Sequence, residues 1–257
     1  MPRLHLIEIH EAKWCPASLR DALTDTLRFY ADMAHPFAPI EGRLAEALTR
    51  CSEYRVVDLC SGAGGPWSSL ASSLRARLGR SVDVTLTDLH PNECCVASET
   101  SLYASPEPVD ARSVPPQLAG FRTLFSSFHH FKPAEAREIL RDCADRGVGI
   151  GVFEAQSRSV WSLAFFLTYL PLTFAAVPLV RPFRFSRLLW TYLIPALPIV
   201  ITTDALASCL RTYAVDELID LAGEAFGDRM AVDIGRVKIP WLPLWITYLV
   251  AVPRDRA

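Results

Sequence analysis

The sequence lacks three features that would assign the protein to a common class. Its 257 residues carry a formal net charge of -2, so the basic excess typical of a nucleic-acid-binding protein is missing. No CxxC pair occurs among its 7 cysteines, and their odd number argues against a disulfide framework. The first residues, MPRLHLIEIHEAKW, contain no long apolar run and do not resemble a secretory signal. We therefore expect no nucleic-acid partner, reduced cysteines and a cytoplasmic location.

Two common nucleotide-binding motifs are also missing from the glycine-rich stretch VVDLCSGAGGP at residues 56–66. The dinucleotide fingerprint G-x-G-x-x-G fails because its sixth position is Trp67, and the P-loop fails because no lysine follows the glycines. The stretch that is present joins an acidic residue at the end of an apolar run to a turn rich in glycine. Such a turn lets the backbone approach a ligand closely.

Beyond residue 52, short apolar runs alternate with helix-like stretches. This alternation predicts an α/β fold with a mostly parallel sheet. The predicted strands are RVVDL (55–59), VDVTLTD (82–88), FRTLFSSF (121–128) and GVGIGVFE (147–154), and the predicted helices between them are 68–78 and 133–146. Two further helix-like runs lie within residues 16–50 and form an N-terminal helical segment (1–52) that we expect to cover the site.

Ligands of such sheets bind at the carboxyl ends of the strands. In this sequence those ends carry Asp58, Asp88, the pair His129 and His130, and Glu154. Polar residues therefore collect at the edge where a site is expected.

The order of these motifs resembles the class I S-adenosylmethionine-dependent methyltransferases. In that family an acidic residue precedes glycines at alternate positions, and here Cys60 replaces the first glycine while Gly62 and Gly64 keep the next two. A second acidic residue follows the next strand, as Asp88 does in TLTDLHPN, and PVDARSVP (108–115) is similar to the segment beside the adenine. The resemblance covers roughly residues 53–156 and 211–252. It implies a Rossmann-like domain (53–257) with a seven-stranded sheet and helices on both faces.

The resemblance also implies roles for individual residues. Asp58 would receive the ammonium group of S-adenosylmethionine, directly or through water, and Asp88 would accept hydrogen bonds from both ribose hydroxyls. Asp110 would face the adenine amino group. The full set of expected cofactor-binding residues is Asp58, Cys60, Ser61, Gly62, Gly64, Asp88, Leu89, Asp110, Ala111 and Ser127.

Several of these residues also have simpler interpretations. Asp58 alone could be a helix N-cap, and Asp88 alone could be a turn residue. Glycines after a strand are often only turn formers. Glu154 could contact the substrate or cap the edge of its strand. The order and spacing of all the motifs together favour the cofactor site.

His129 and His130 are the candidate catalytic residues, together with Glu154. Adjacent residues at a strand end point in opposite directions, so we expect one histidine to matter much more for turnover than the other. A histidine at this place could act as a general base, or both could belong to the framework. We predict no metal site, because neither the histidines nor Cys94 and Cys95 meet a ligand spacing.

Residues 157–204 are unusually apolar and raise the mean hydropathy of the chain to +0.21. The runs 160–180 and 188–203 carry no charge, and RPFRFSR (181–187) between them adds three arginines at three-residue spacing, which would share one outward helical face. The first run is long enough to span a bilayer, but prolines within both runs argue for short, broken helices. We expect an apolar helical lid with its apolar side chains facing inward. A lid that dips into a membrane and a transmembrane hairpin are the alternatives.

These observations predict an S-adenosylmethionine-dependent methyltransferase that acts on a small or lipid-like apolar acceptor. One alternative is an enzyme that consumes the same cofactor without methyl transfer, for example by cyclisation to azetidine-2-carboxylate with release of methylthioadenosine. Another is a non-catalytic module that only binds S-adenosylmethionine. The pattern does not indicate the oligomeric state.

Overall fold

The computed structural model describes residues 1–62, 64–91 and 101–254. Seven strands in this part of the chain form one sheet. They are β1 (Arg55–Leu59), β2 (Asp83–Thr87), β3 (Leu102–Ala104), β4 (Phe121–Phe125), β5 (Ile150–Glu154), β6 (Met230–Lys238) and β7 (Trp245–Pro253). Their order across the sheet is β3-β2-β1-β4-β5-β7-β6.

The sheet is parallel except at one strand. β1 pairs in parallel with β2 and with β4, β2 with β3, and β4 with β5. β7 runs antiparallel to both of its neighbours, β5 and β6. The predicted mostly parallel, seven-stranded α/β sheet is thus confirmed. Because β1, β2, β4 and β5 are adjacent and parallel, their carboxyl ends meet at one edge of the sheet.

Helices cover both faces of the sheet. The helices in the described residues are α1 (Ala17–Ala34), α2 (Glu41–Arg50), α3 (Trp67–Leu78), α4 (Pro133–Arg146), α5 (Val160–Leu167), α6 (Tyr169–Ala176), α7 (Phe185–Leu188), α8 (Ala196–Arg211) and α9 (Val215–Phe226). α2 packs with α3 over one apolar cluster, and α4 packs with α9 over another. β4 and β5 are buried along their whole length between these layers.

A third apolar cluster lies outside the sheet and joins α1 to the helices that follow β5. Leu19 and Leu23 of α1 pack with Val177, Leu197 and Ile201. We call the segment from α5 to α8, residues 160–211, the apolar cap. α5, α6 and α7 are short, as the prolines predict, whereas α8 has 16 residues. This last helix continues past the predicted end of the insertion at residue 204 and stops at Arg211.

Candidate functional site

The turn between β1 and α3 has an unusual backbone conformation. Cys60, Gly62, Gly64 and Gly65 all adopt positive φ angles. Glycine takes this conformation without steric cost, whereas a residue with a Cβ atom is strained by about 1–2 kcal/mol. Cys60 stands where the resembled family has its first glycine, and the chain keeps the left-handed conformation there despite the side chain. The turn therefore keeps its left-handed conformation at a position where the sequence, with Cys60 in place of glycine, did not predict it.

Ser61 fixes this turn to the strands on either side. Its backbone N–H donates to the carbonyl oxygen of Thr87 at 2.9 Å, and its hydroxyl donates to Asp58 Oδ2 at 2.7 Å. The N–H of Gly62 donates to Asp88 Oδ2 at 3.0 Å. The turn thus lies between the two carboxylates that the sequence singled out, at the carboxyl ends of β1 and β2.

The carboxylate of Asp58 is almost completely buried, with 1 % of the residue exposed. Thr123 Oγ1 donates to its Oδ1 at 2.6 Å, and Ser61 Oγ donates to its Oδ2. Burial nevertheless outweighs these hydrogen bonds and raises the pKa of Asp58 to about 6. An ionised Asp58 is therefore costly here, and a cationic group bound beside it would offset that cost.

We predict that Asp58→Asn changes stability in a pH-dependent way. Because the pKa of Asp58 is higher in the folded protein than its ordinary value of 3.8, the folded state holds the proton more tightly than the unfolded chain. Wild-type stability should therefore fall as the pH rises from about 4 to about 6, and asparagine should remove this loss. Relative to wild type, the variant should gain about 2–3 kcal/mol between pH 4 and pH 7.

Urea unfolding of both proteins at several pH values measures this difference, and all other titrating groups cancel in the comparison. Asp83→Asn, which changes an exposed carboxylate at the opposite end of β2, is the matched control and should leave the profile unchanged. A constant offset between Asp58→Asn and wild type across the range would contradict the prediction.

Asp88 lies half-buried just after β2 and organises the chain around it. Besides Gly62, its carboxylate accepts the backbone N–H of His90 on Oδ1 at 2.9 Å. Its carbonyl oxygen accepts the N–H of Val109 at 2.9 Å, which brings the segment around residue 110 to the same edge. Two carboxylate oxygens still have lone pairs for further donors. The predicted partner of Asp88, a pair of ribose hydroxyls, fits this arrangement.

The remaining cofactor-site candidates at this end differ in their surroundings. Leu89 is 52 % exposed, and Ala111 is buried. The carboxylate of Asp110 accepts the backbone N–H of Arg112 at 2.9 Å and forms an ion pair with its guanidinium at 2.6 Å. This pairing holds the pKa of Asp110 below its ordinary value. A ligand amino group would have to share Asp110 with Arg112.

The chain after β4 does not continue as a strand, contrary to the predicted run 121–128. Ser126 has a positive φ angle, which ends the strand at Phe125, and Phe128–His130 form a turn of 3₁₀ helix. Ser127, a predicted cofactor residue, is buried, and its hydroxyl has no hydrogen-bond partner among the described residues. A buried, unpaired hydroxyl is unfavourable unless a ligand or water completes it.

The expectation that strand alternation directs His129 and His130 apart is wrong, because both lie on this helical turn. Their ring centroids are 4.2 Å apart, with the planes tilted by 35°. They differ instead in exposure. His129 is 2 % exposed, whereas the side chain of His130 is 28 % exposed. Any functional difference between them would follow from burial rather than from alternation.

His129 belongs to a buried network with Glu154 at the end of β5. Its Nδ1 lies 2.8 Å from Glu154 Oε2, and its backbone N–H donates to Glu154 Oε1 at 3.1 Å. Gln156 Nε2 donates to the same carboxylate at 2.7 Å. Burial disfavours the charged imidazole, but the charges of Glu154 and Glu8 outweigh it and raise the pKa of His129 to about 9. Glu154 thus faces His129 and does more than cap the edge of its strand.

Comparison with solved structures supports the assignment of the fold. No protein-family model and no curated protein matches the sequence. The plantazolicin methyltransferase BpumL, in complex with a monoazolic desmethylPZN analog and SAH, matches with a TM-score of 0.55 and 10 % identity over 91 % of this chain and 90 % of BpumL. The chain has the fold of the class I S-adenosylmethionine-dependent methyltransferases.

Two larger proteins share this methyltransferase fold. NcsB1, an O-methyltransferase from neocarzinostatin biosynthesis in complex with S-adenosyl-L-homocysteine and 1,4-dihydroxy-2-naphthoic acid, matches with a TM-score of 0.52 and 15 % identity. The S-adenosylmethionine-dependent methyltransferase SibL matches with a TM-score of 0.52 and 16 % identity. The matches cover 93 % and 97 % of this chain, but only 59 % of NcsB1 and 63 % of SibL.

On this methyltransferase fold, the N-terminal strap (residues 1–16) contributes residues that the sequence analysis missed. Glu8 is buried, and its Oε1 lies 3.5 Å from His129 Nε2. Glu11 Oε1 lies 2.5 Å from His130 Nδ1. The N-terminal segment was expected to cover the site, but its alternation of apolar and charged residues did not show which charged side chains contact the histidines.

Two residues of α8 hold the strap in place. The carboxylate of Asp204 accepts the backbone N–H groups of Ile9 and His10 at 2.7 and 3.0 Å. Arg211 donates to Glu8 Oε1 at 3.2 Å and to Glu11 Oε2 at 3.1 Å. Burial alone would raise the pKa values of Glu8 and Glu11, but the contacts of Glu8 with His129 and of Glu11 with His130, together with the charge of Arg211, outweigh burial and lower the pKa values of both glutamates to about 2. The cap, the strap and the turn after β4 are thus linked by charged contacts.

The apolar cap differs from the predicted lid, in which the apolar side chains would face inward. Many of its large apolar side chains are exposed, and Val160, Trp161, Phe185 and Leu193 are between 71 % and 81 % exposed. The helical stretch Val160–Leu179 is long and apolar enough to cross a membrane by length and composition, a test that core helices of soluble proteins also pass. The apolar side chains of the cap are thus divided between a buried face on α1 and an exposed face.

The arginines of the cap do not share one outward helical face, so that expectation is wrong. α7 begins only at Phe185, which leaves Arg181 and Arg184 outside the helix. Arg187 is 1 % exposed, and its guanidinium pairs with Asp25 of α1. Arg184 Nε also lies 3.1 Å from the same carboxylate. Arg184 Nη1 also lies 4.0 Å from Asp21 Oδ2, so two carboxylates of α1 balance the charges of these two arginines. Cys94 and Cys95, the cysteines considered for metal binding, lie outside the described residues.

Proposed function

We propose that the protein binds S-adenosylmethionine and transfers its methyl group to a small or lipid-like apolar acceptor. The observation that carries this proposal is the left-handed conformation of Cys60, Gly62, Gly64 and Gly65, which lie between the carboxylates of Asp58 and Asp88 on a methyltransferase fold. A ligand that carries a cation and two adjacent hydroxyls would offset the buried charge of Asp58 and donate hydrogen bonds to Asp88.

The residues at this edge fit the chemical groups of the cofactor. A buried Asp58 favours a bound cation, which suits the ammonium group. Asp88 suits the ribose hydroxyls, and the unpaired hydroxyl of Ser127 is available to a ligand at the end of β4. When bound, S-adenosylmethionine supplies a methyl group on a positively charged sulfur. Holding an acceptor in line with this group can provide much of the rate without a strong base.

The two histidines would serve this chemistry differently. Both ring nitrogens of His129 face carboxylates, and the residue is buried, so its side chain is placed to hold the turn after β4. His130 is partly exposed and is oriented through Nδ1 by Glu11. Of the two, His130 is therefore the one whose side chain an acceptor could reach.

Titration calorimetry with the purified protein tests the cofactor assignment. We expect one molecule of S-adenosylmethionine to bind per chain, and S-adenosylhomocysteine to compete with it. No measurable heat at millimolar ligand, or binding of NAD in its place, would overturn the proposal.

We further propose that the apolar cap contacts a membrane surface, from which a lipid-like acceptor could be taken. The support is the set of exposed apolar side chains on α5 to α8, together with the absence of any acidic residue between positions 155 and 203. Because Asp21 and Asp25 pair with Arg184 and Arg187, attraction to anionic headgroups would be weak. The apolar side chains would drive binding, and salt should have little effect on it.

A further inference from the structure

Three side chains from distant parts of the sequence converge beneath the N-terminal strap. Glu8 of the strap and His129 and His130 of the turn after β4 each offer one ligand atom, and these atoms lie within 4.8 Å of one another. Nitrogen and oxygen atoms at this separation can share one metal ion. No spacing rule on the sequence reveals the group, because Glu8 is far from the histidines along the chain.

A carboxylate faces the Nδ1 atom of each histidine, as is common around metal-binding imidazoles. His129 Nδ1 faces Glu154 Oε2 at 2.8 Å, and His130 Nδ1 faces Glu11 Oε1 at 2.5 Å. A carboxylate on Nδ1 fixes the tautomer and the ring orientation, and it leaves Nε2 as the free electron-pair donor. Both histidines are thus prepared to donate through Nε2.

The Nε2 atom of His129 is a second observation that points to a ligand. His129 is 2 % exposed, and this nitrogen has no hydrogen-bond partner in the described part of the chain. It points toward Glu8 Oε1 at 3.5 Å, which is a distance for an ionic contact rather than a good hydrogen bond. A buried polar atom of this kind requires an explanation.

The charges around the cluster leave room for a divalent cation. Once a bound cation has displaced the histidine protons, four carboxylates and two guanidinium groups give a net charge of -2 (four negative, two positive). Arg211 supplies one of the positive charges and contacts Glu8 and Glu11 directly, while Arg3 donates to the carbonyl oxygens of the turn. The four carboxylates are those of Glu8, Glu11, Glu154 and Asp204, and the two guanidinium groups are those of Arg3 and Arg211.

We propose that Glu8, His129 and His130 bind one divalent transition-metal cation. Two imidazole nitrogens and one carboxylate oxygen suit Zn²⁺, Fe²⁺, Co²⁺ or Mn²⁺ better than Mg²⁺ or Ca²⁺, which prefer oxygen ligands. The cation would take the place of protons on the histidines and tie the strap to the turn after β4. The partly exposed side of His130 gives it a route of entry. This site does not depend on the proposed methyltransferase activity.

Cobalt titration of the chelator-treated protein tests the site directly. We expect one Co²⁺ per chain, visible d–d absorption bands, and displacement of the cobalt by Zn²⁺. Glu8→Gln and His130→Ala should each weaken binding at least tenfold. His90→Ala is the matched control, because this exposed histidine is not one of the three clustered residues, and it should bind cobalt as wild type does.

Two results would overturn the proposal. One is a wild-type protein that takes up no stoichiometric cobalt or zinc, a result that needs no variant. The other is undiminished binding in Glu8→Gln and His130→Ala, which would locate the metal elsewhere. Calorimetry with S-adenosylmethionine on the same preparations reports on the cofactor site separately, so failure of one proposal does not imply failure of the other.

Discussion

Asp88→Ala is expected to lower the affinity for S-adenosylmethionine about a hundredfold or more. The substitution removes the proposed acceptor of both ribose hydroxyls, and each hydrogen bond to a charged group contributes roughly 1.5–3 kcal/mol. It also removes the acceptor of the Gly62 N–H, which releases the glycine turn from the end of β2. Both effects act in the same direction, and titration calorimetry measures their sum.

Two further variants make this result specific. Asp88→Asn keeps one carbonyl oxygen as an acceptor and should lose less affinity than the alanine variant. Asp83→Ala removes an exposed carboxylate at the opposite end of β2 and should bind as wild type does. If Asp88→Ala binds the cofactor with undiminished affinity, the ribose assignment is wrong.

The second large effect concerns the apolar cap. Wild-type protein should sediment with anionic lipid vesicles at both low and high salt, and the triple variant Trp161→Glu, Phe185→Glu, Leu193→Glu should stay in the supernatant. Each of these side chains is at least 75 % exposed, and burying a large apolar side chain contributes about 1.5–3 kcal/mol. Losing all three should weaken vesicle binding roughly a thousandfold or more.

A single exposed apolar residue outside the cap provides the control. Ile219→Glu on α9 changes a side chain that is 54 % exposed and should leave vesicle binding intact. Wild-type protein that remains in the supernatant at both salt concentrations would rule out the membrane contact. Binding that disappears at high salt would show instead that charge, including that of Arg181, drives it.

Local sequence patterns were sufficient for the elements around the cofactor site. RVVDL forms β1 over residues 55–59, and α4 covers residues 133–146, as predicted. In both elements, the spacing of the apolar residues matches the side chains that are buried in the structure. β3 was missed because it has three residues, which is too short for any periodicity. The predicted strand from residue 147 begins only at Ile150, since Gly147 ends α4 with a positive φ angle.

Long-range charge pairing could not be predicted from the sequence. Glu8 finds His129 and Arg211 only because the strap crosses the turn after β4 and the end of α8. The same limit applies to Arg187, which was predicted to share an outward face with two other arginines but is buried against Asp25. In each case the partner lies far away along the chain, and no local spacing reports on it. The candidate residues at the strand ends were thus named from the sequence, whereas those of the strap were not.

Analysis of the nucleoside product tests the central claim most directly. The protein is incubated with S-adenosylmethionine and a total lipid extract, and the nucleosides are separated by chromatography. The account predicts S-adenosylhomocysteine, formed in step with a methylated acceptor and lost in Asp88→Ala. Release of methylthioadenosine would show a cyclisation or a related reaction instead, and cofactor that binds but is recovered unchanged with every acceptor extract would contradict methyl transfer.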